Sequence, residues 1–183
     1  VLNRFDEQLI KSGLITKNTL KPDFTWASKN VDRLINRYTG KKFILLFPFC
    51  SKTLSHKKWP YFEKLIKNLK KYFSNYDILT APGNDEIDES KNLDVITILN
   101  DKKPLNISEL VGLIRKASFV LANDTGPAHI AAHSKVDGLA LFGYHTTPFK
   151  VSIETEKFKT IHKPNLDDIS TEEVLDYLKK ILK

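Results

Sequence analysis

From residue 43 onward, short continuous apolar runs alternate with longer segments whose apolar residues recur every three or four positions. KFILLFPF opens the series and reads as a buried strand. WPYFEKLIKNLKKYF follows, with Phe62, Leu65, Ile66 and Leu69 on one helical face. Pro60 suits the first turn of that helix, where its missing N–H would be unsatisfied anyway. YDILTAPG, DVITIL, SFVLAND, GLALFG and FKTIHK read as further strands. NISELVGLIRKA, GPAHIAAHS and STEEVLDYLKKIL read as helices. Asn106 or Ser108 caps the first of these, and Ser170, Thr171 and Glu173 suit the start of the last. DEIDESKNL is a short helix or a loop.

Continuous apolar strands separated by helices predict a parallel sheet covered on both faces. The expected fold is therefore α/β, a doubly wound Rossmann-like sheet of about six strands. In open sheets of this kind ligands bind at the carboxyl ends of the strands. Residues 1–40 have a different pattern. FDEQLIKSGL and KNVDRLINRYTG look helical, with Pro22 in a loop between them. The expected division is a helical segment over 1–40 and a Rossmann-like domain over 41–183.

A length of 183 residues suits one domain with a substantial core. No apolar run is long enough for a transmembrane helix. The chain begins at Val1 with no signal-peptide pattern, and it is expected to be a piece of a longer protein. Cys50 stands alone, which rules out an internal disulfide and a cysteine zinc cluster and fits a reducing cytoplasm. The net charge of +7 comes from scattered lysine pairs rather than one basic block with exposed aromatics, so nucleic acid is not an expected partner. No G-x-G-x-x-G and no P-loop occurs, which argues against NAD and against P-loop nucleotide hydrolysis. No acidic metal cluster is evident.

Three polar loops fall after strands, at one edge of the sheet. The most pointed is ANDTGPAHIAAH, residues 122–133. There Gly126 allows a tight turn and close approach, and Pro127 suits a first helical position. Amides near Thr125, Gly126, Ala128 and His129 would face an anion, with the Thr125 hydroxyl and the His129 ring beside them. Asp124 would repel a phosphate, so it either accepts backbone amides or orients His129 or a nearby lysine. From spacing alone the residues read rather as a capped helix with a half-buried histidine. The second loop, SKTLSHKKWP, offers Ser51, Thr53, Ser55, His56, Lys57 and Lys58; it reads as a phosphate clamp or as a polar loop under a packed Trp59. In the third, APGNDEIDES, Glu86 or Asp85 could accept from ribose hydroxyls or simply cap a helix.

KKWPYFEKLI, the PG after the next strand, NDTGPAHIAAH and LFG together resemble the C-terminal half of the family 9 glycosyltransferases, the heptosyltransferases of lipopolysaccharide core synthesis. The resemblance covers residues 43–183. It implies a two-domain GT-B architecture with this chain as the donor-binding domain. It also implies inverting transfer from an ADP-linked heptose, the substrate nucleotide sugar, with no separate cofactor and no metal. The acceptor would be a glycolipid or oligosaccharide engaged by an N-terminal domain that also holds the general base. The place would be the cytoplasm, peripheral to the inner membrane. Carried over by position, Lys57 is the lysine that stabilises the leaving diphosphate. Asp124, Thr125, Gly126 and His129 resemble the diphosphate-binding turn, and Glu86 sits near the acidic position that meets the ribose; Ser51 and Thr53 of the second loop are expected to join the diphosphate site. The 183-residue chain alone is expected to be inactive. A non-catalytic nucleotide-sugar-binding module and a GT-B-like sugar-nucleotide epimerase domain are the alternatives. Phe49 and Cys50 depart from the family's small residues, and GYHTTP has one residue more than its usual loop.

Overall fold

The structure, a computed structural model, describes residues 2–182; Val1 and Lys183, the outer ends of the two expected segments, lie outside them. Six strands form one sheet: β1 Lys42–Phe47, β2 Tyr76–Thr80, β3 Ile96–Thr97, β4 Phe119–Asn123, β5 Gly138–Phe142 and β6 Phe158–His162. Their order is β3-β2-β1-β4-β5-β6, and every pairing is parallel. The sheet therefore reverses its direction of winding between β1 and β4, and the adjoining strand ends form the crevice where ligands bind in folds of this type.

Alternate residues of each central strand feed two cores. Phe43, Leu45 and Phe47 of β1 join Val120 and Ala122 of β4 and Ala140 and Phe142 of β5 on one face. Ile44 and Leu46 join Phe119, Leu121, Leu139 and Leu141 on the other. The first face is covered by α5 (Ile107–Lys116) and α6 (Gly126–Ala132), the second by α3 (Phe62–Tyr72) and α8 (Thr171–Ile181). Burial on both faces is why the strands read as unbroken apolar runs. Asn106 caps α5 and Glu109 bonds back to the Asn106 amide; Ser170 caps α8.

Some boundaries differ from the sequence pattern. α3 begins at Phe62 with Tyr61 at its N-cap, so Pro60 sits just before the helix. The reason is that Trp59 is tied down first: its amide donates to Asn123 Oδ1 at 3.0 Å and its indole to the Ile169 carbonyl at 2.9 Å. The helix expected around residues 29–40 shrinks to α2, Asp32–Ile35. It unwinds into three-residue turns at Arg37 and Tyr38, where the Tyr38 hydroxyl donates to the Leu99 carbonyl at 2.6 Å. DVITIL yields only two ladder residues, paired with Leu79 and Thr80. The DEIDESKNL segment is a short 3-10 turn followed by α4, Ile87–Ser90. A one-turn helix not expected from the sequence, α7 (Pro148–Val151), follows β5.

The N-terminal helix α1, Leu2–Lys11, buries none of its residues. The chain joins the main body later. Phe24 N–H donates to the His133 carbonyl and Lys29 N–H to the Ser108 carbonyl, and Val31, Leu34 and Ile35 enter the same core as β1. Gly112 of α5 makes this close approach possible, because a Cβ there would lie 2.2 Å from the Lys29 carbonyl oxygen. No helix among the described residues is long and apolar enough to cross a membrane.

Candidate functional site

The loops that follow β1, β4 and β5 meet at one carboxylate. Asn123, the last residue of β4, is wholly buried. Its amide donates to the Pro48 carbonyl at 2.8 Å while its oxygen accepts the Trp59 amide. One side chain thus draws both ends of the 48–59 loop against the end of β4. The next residue, Asp124, then faces that loop. Lys57 Nζ donates to Asp124 Oδ2 at 2.7 Å. His129 Nε2, from the first turns of α6, lies 3.3 Å from Oδ1. His145 Nε2, from the loop after β5, lies 3.1 Å from Oδ2.

Burial alone would raise the Asp124 carboxyl, but the hydrogen bonds and charges of His129 and Lys57 outweigh it and hold the group well below the ordinary carboxylate range. Asp124 is therefore ionised at neutral pH, and both its oxygens are occupied. His145 moves the other way. Burial, and then the Lys57 charge, keep its ring below the ordinary imidazole value against the pull of Asp124, so it is neutral at pH 7.

Of the two roles left open for Asp124, the structure shows the second. It orients a histidine and a lysine and takes no backbone amide. The helix start is also less open than expected. The Ala128 and His129 amides both donate to the Thr125 carbonyl, and the Thr125 hydroxyl turns back to the Asn123 carbonyl at 3.3 Å. Gly126 has no positive φ, so a tight turn is not its reason. The place its Cβ would occupy is open, which leaves room beside the cluster.

Ser51 and Thr53 lie on the same loop as Lys57 but are exposed, with their hydroxyls 3.0 Å apart. Glu86 lies after β2, where its Oε2 accepts the Gly83 amide at 2.8 Å. The loops after β1 and β2 are close enough that the Glu86, Lys57 and Lys58 charges all reach the Cys50 thiol, which burial pushes above its ordinary value. Phe49, at one of the family's small positions, is buried. A cavity of about 340 Å³ opens beside α4, lined by Pro48, Phe49, Lys58, Trp59, Glu89 and Leu93 among others. The Asp124 cluster lies outside it.

Asn123 and His145 escape sequence reasoning. Asn123 is visible only as a polar residue ending a buried strand. His145 sits in the GYHTTP loop, which has no periodic pattern, and its partner lies 21 positions away.

A six-stranded parallel α/β domain with charged side chains gathered at its switch point is a Rossmann-like, doubly wound architecture. The family model for glycosyltransferase family 9 (heptosyltransferase) matches residues 10–174, and the chain belongs to that family. Among solved structures it is similar to the Escherichia coli heptosyltransferase WaaC with ADP, at 16% identity and a TM-score of 0.68, covering 94% of this chain and 53% of that one. It is similar to the E. coli ADP-heptose lps heptosyltransferase II at 18% identity and a TM-score of 0.67, covering 92% and 53%. The UDP-GlcNAc 2-epimerase from Methanocaldococcus jannaschii also resembles it, at 15% identity and a TM-score of 0.63, covering 97% and 52%. The chain spans about half the length of these proteins, and the likeness to them is one of fold. No curated protein sequence matches significantly.

Proposed function

We propose that this chain is the donor-binding half of an inverting glycosyltransferase that uses an ADP-linked heptose. The observation that carries the reading is the pair of donors held by Asp124: Lys57 on one oxygen and His129 on the other. Both groups stand at the carboxyl edge of the sheet, beside the open space at Gly126. As a glycosidic bond to a diphosphate breaks, negative charge grows on the leaving group. Lys57 and His129 would bind that charge best in the transition state, which is how fixed donors accelerate such a step. The Thr125 and Gly126 backbone, with Ser51 and Thr53 at the rim, complete the proposed diphosphate site. Glu86 uses one oxygen to cap its own turn, and the other is proposed to meet the ribose.

Support for the ADP-heptose assignment is the family and the heptosyltransferase structures, one of which holds ADP. The acceptor, proposed to be a lipopolysaccharide-like glycolipid or oligosaccharide, and the general base are assigned to sequence outside this chain. So is any peripheral seat at the cytoplasmic face of a membrane. A second reading, a sugar-nucleotide epimerase domain, is favoured by the comparable likeness to a UDP-GlcNAc 2-epimerase.

A thermal-shift panel separates the readings, because a ligand that binds the folded state raises its melting temperature. The transferase reading expects ADP and ADP-linked sugars to stabilise the chain more than UDP and UDP-GlcNAc. Stabilisation by the uridine ligands alone would move the assignment to the epimerase reading. No shift with any nucleotide would remove the donor-binding reading.

A further inference from the structure

The geometry points to one more member of the machinery: we propose that His145 is a positioning residue, which acts through Asp124 to set the Lys57 ammonium toward a phosphate group of the ligand. This rests on the diphosphate reading above and deepens it.

The first observation is an orphan. His145 Nδ1 is the one buried side-chain nitrogen or oxygen without a hydrogen-bond partner among the described residues. Its side chain is only 5% exposed. A phenylalanine or leucine would fill comparable space without burying an unsatisfied nitrogen, which is costly in a folded core. Packing alone therefore gives no reason for an imidazole here. Its other nitrogen does, because Nε2 donates to Asp124.

The second observation is which oxygen it meets. His145 Nε2 and Lys57 Nζ share Asp124 Oδ2, at 3.1 and 2.7 Å, while Oδ1 is left to His129. Asp124 is thus held from the β5 side and the β1 side at once, in a single orientation. Without the His145 donor, Oδ2 would face Lys57 alone. Held only by His129 and Lys57, the carboxylate could turn and draw the ammonium's remaining N–H groups inward, away from a ligand.

The third observation is how the ring is held. It stacks on Phe142, with centroids 6.1 Å apart and planes at 17°, and meets His56 edge-on at 5.7 Å. Gly143 lies beside it: a Cβ at that position would crowd Leu166 Cγ at 3.2 Å and touch the ring at Nδ1 in ordinary contact at 3.6 Å. The charged and titratable groups that act on the ring are Asp124, Lys57 and His56. A neutral ring with its proton on Nε2 can donate to Asp124 but has only a bare acceptor left. It does not compete with Lys57 for phosphate, which marks it as a positioning group rather than a ligand-binding one.

Two substitutions separate donor from packing. His145→Phe keeps the ring and removes the donor. His145→Gln places an amide nitrogen near the Nε2 position and removes the ring. Calorimetry with ADP is expected to show His145→Phe weaker by about tenfold, as for loss of a charge-assisted bond, and His145→Gln within about threefold of the parent. The His145→Phe loss should vanish in a Lys57→Ala background, because the effect passes through Lys57. ADP binding by His145→Phe equal to the parent's would overturn the proposal, as would an equal loss in both backgrounds. If His145→Phe does not fold, His145→Gln decides: retained ADP affinity supports the donor role, and lost affinity overturns it. A ligand-free measurement keeps this distinct from the function reading. The Lys57 ammonium signal in ¹⁵N-detected NMR should move in His145→Phe and stay in His145→Gln. If the parent binds no nucleotide, the functional assignment falls while this signal still judges His145, and an unmoved signal in His145→Phe refutes it.

Discussion

Lys57 and Asp124 are 67 positions apart in sequence yet form a 2.7 Å ion pair that bridges the two strands where the sheet changes direction. Their side chains are 20% and 4% exposed. The carboxylate is sealed in while the ammonium keeps one side toward solvent. In the proposed site that asymmetry would let the lysine serve a ligand while the aspartate holds the lysine.

Lys57→Ala should therefore weaken ADP more than AMP. In the proposed diphosphate site the ammonium would meet the second phosphate, which AMP lacks. A charge-assisted contact contributes roughly 1.5–3 kcal/mol, so calorimetry should find a loss of about tenfold or more for ADP. Equal losses for the two nucleotides would take Lys57 out of the diphosphate site.

Asp124→Ala should lower both stability and ADP affinity. It strips the shared acceptor from Lys57, His129 and His145 at once. Breaking a fully buried pair costs about 3–5 kcal/mol; here the cost should be smaller, since Lys57 can reach water. Urea denaturation gives the value, and an unchanged midpoint would contradict the clamp. His129→Ala, which removes a more exposed ring, should weaken ADP while leaving that midpoint nearly where it was.

Acid should destabilise the fold before any carboxylate titrates. His133 and His145 both lie below the ordinary imidazole value of 6.5, burial being the first cause in each. His129 adds its charge against His133, and Lys57 and His56 add theirs against His145. The unfolded chain takes up these protons below 6.5 while the native state resists. Stability is then full above that pH and declines as pH falls toward the native values. Melting temperatures should drop between about pH 7.5 and about pH 5, and His133→Gln should flatten the slope. Equal melting temperatures across that range would exclude the linkage.

Gly112→Ala should loosen residues 29–31 from α5, because its Cβ would strike the Lys29 carbonyl and crowd Val31. Overpacking of this kind costs about 1–3 kcal/mol. Hydrogen exchange should show the Lys29 amide, which donates to Ser108, losing protection.

The sheet was legible because β1, β4 and β5 are apolar on both faces, and Ile44 or Leu139 can be read as buried without knowing what covers them. Strand β3 was overestimated because Ile98 is apolar and fully buried yet lies beyond the ladder. Lys57, Asp124 and His129 were visible as polar residues at strand ends and helix starts. His145 and Asn123 were not, since what defines each is a partner brought near by tertiary folding. The free amides expected at Ala128 and His129 failed for a local reason: the Thr125 carbonyl closes the first turn on both.

The two tryptophans are sorted by the fold into opposite surroundings: Trp26 is 82% exposed and Trp59 is 1% exposed. Trp59 is also the second residue after Lys57, with its amide on Asn123 and its indole on Ile169. Its emission should be blue and shielded from quenchers, and that of Trp26 red and readily quenched. The molecule thus contains two independent optical probes. One is wired to the strand-end clamp, and the other stands on the N-terminal segment, where it would darken or shift only when something covers that face.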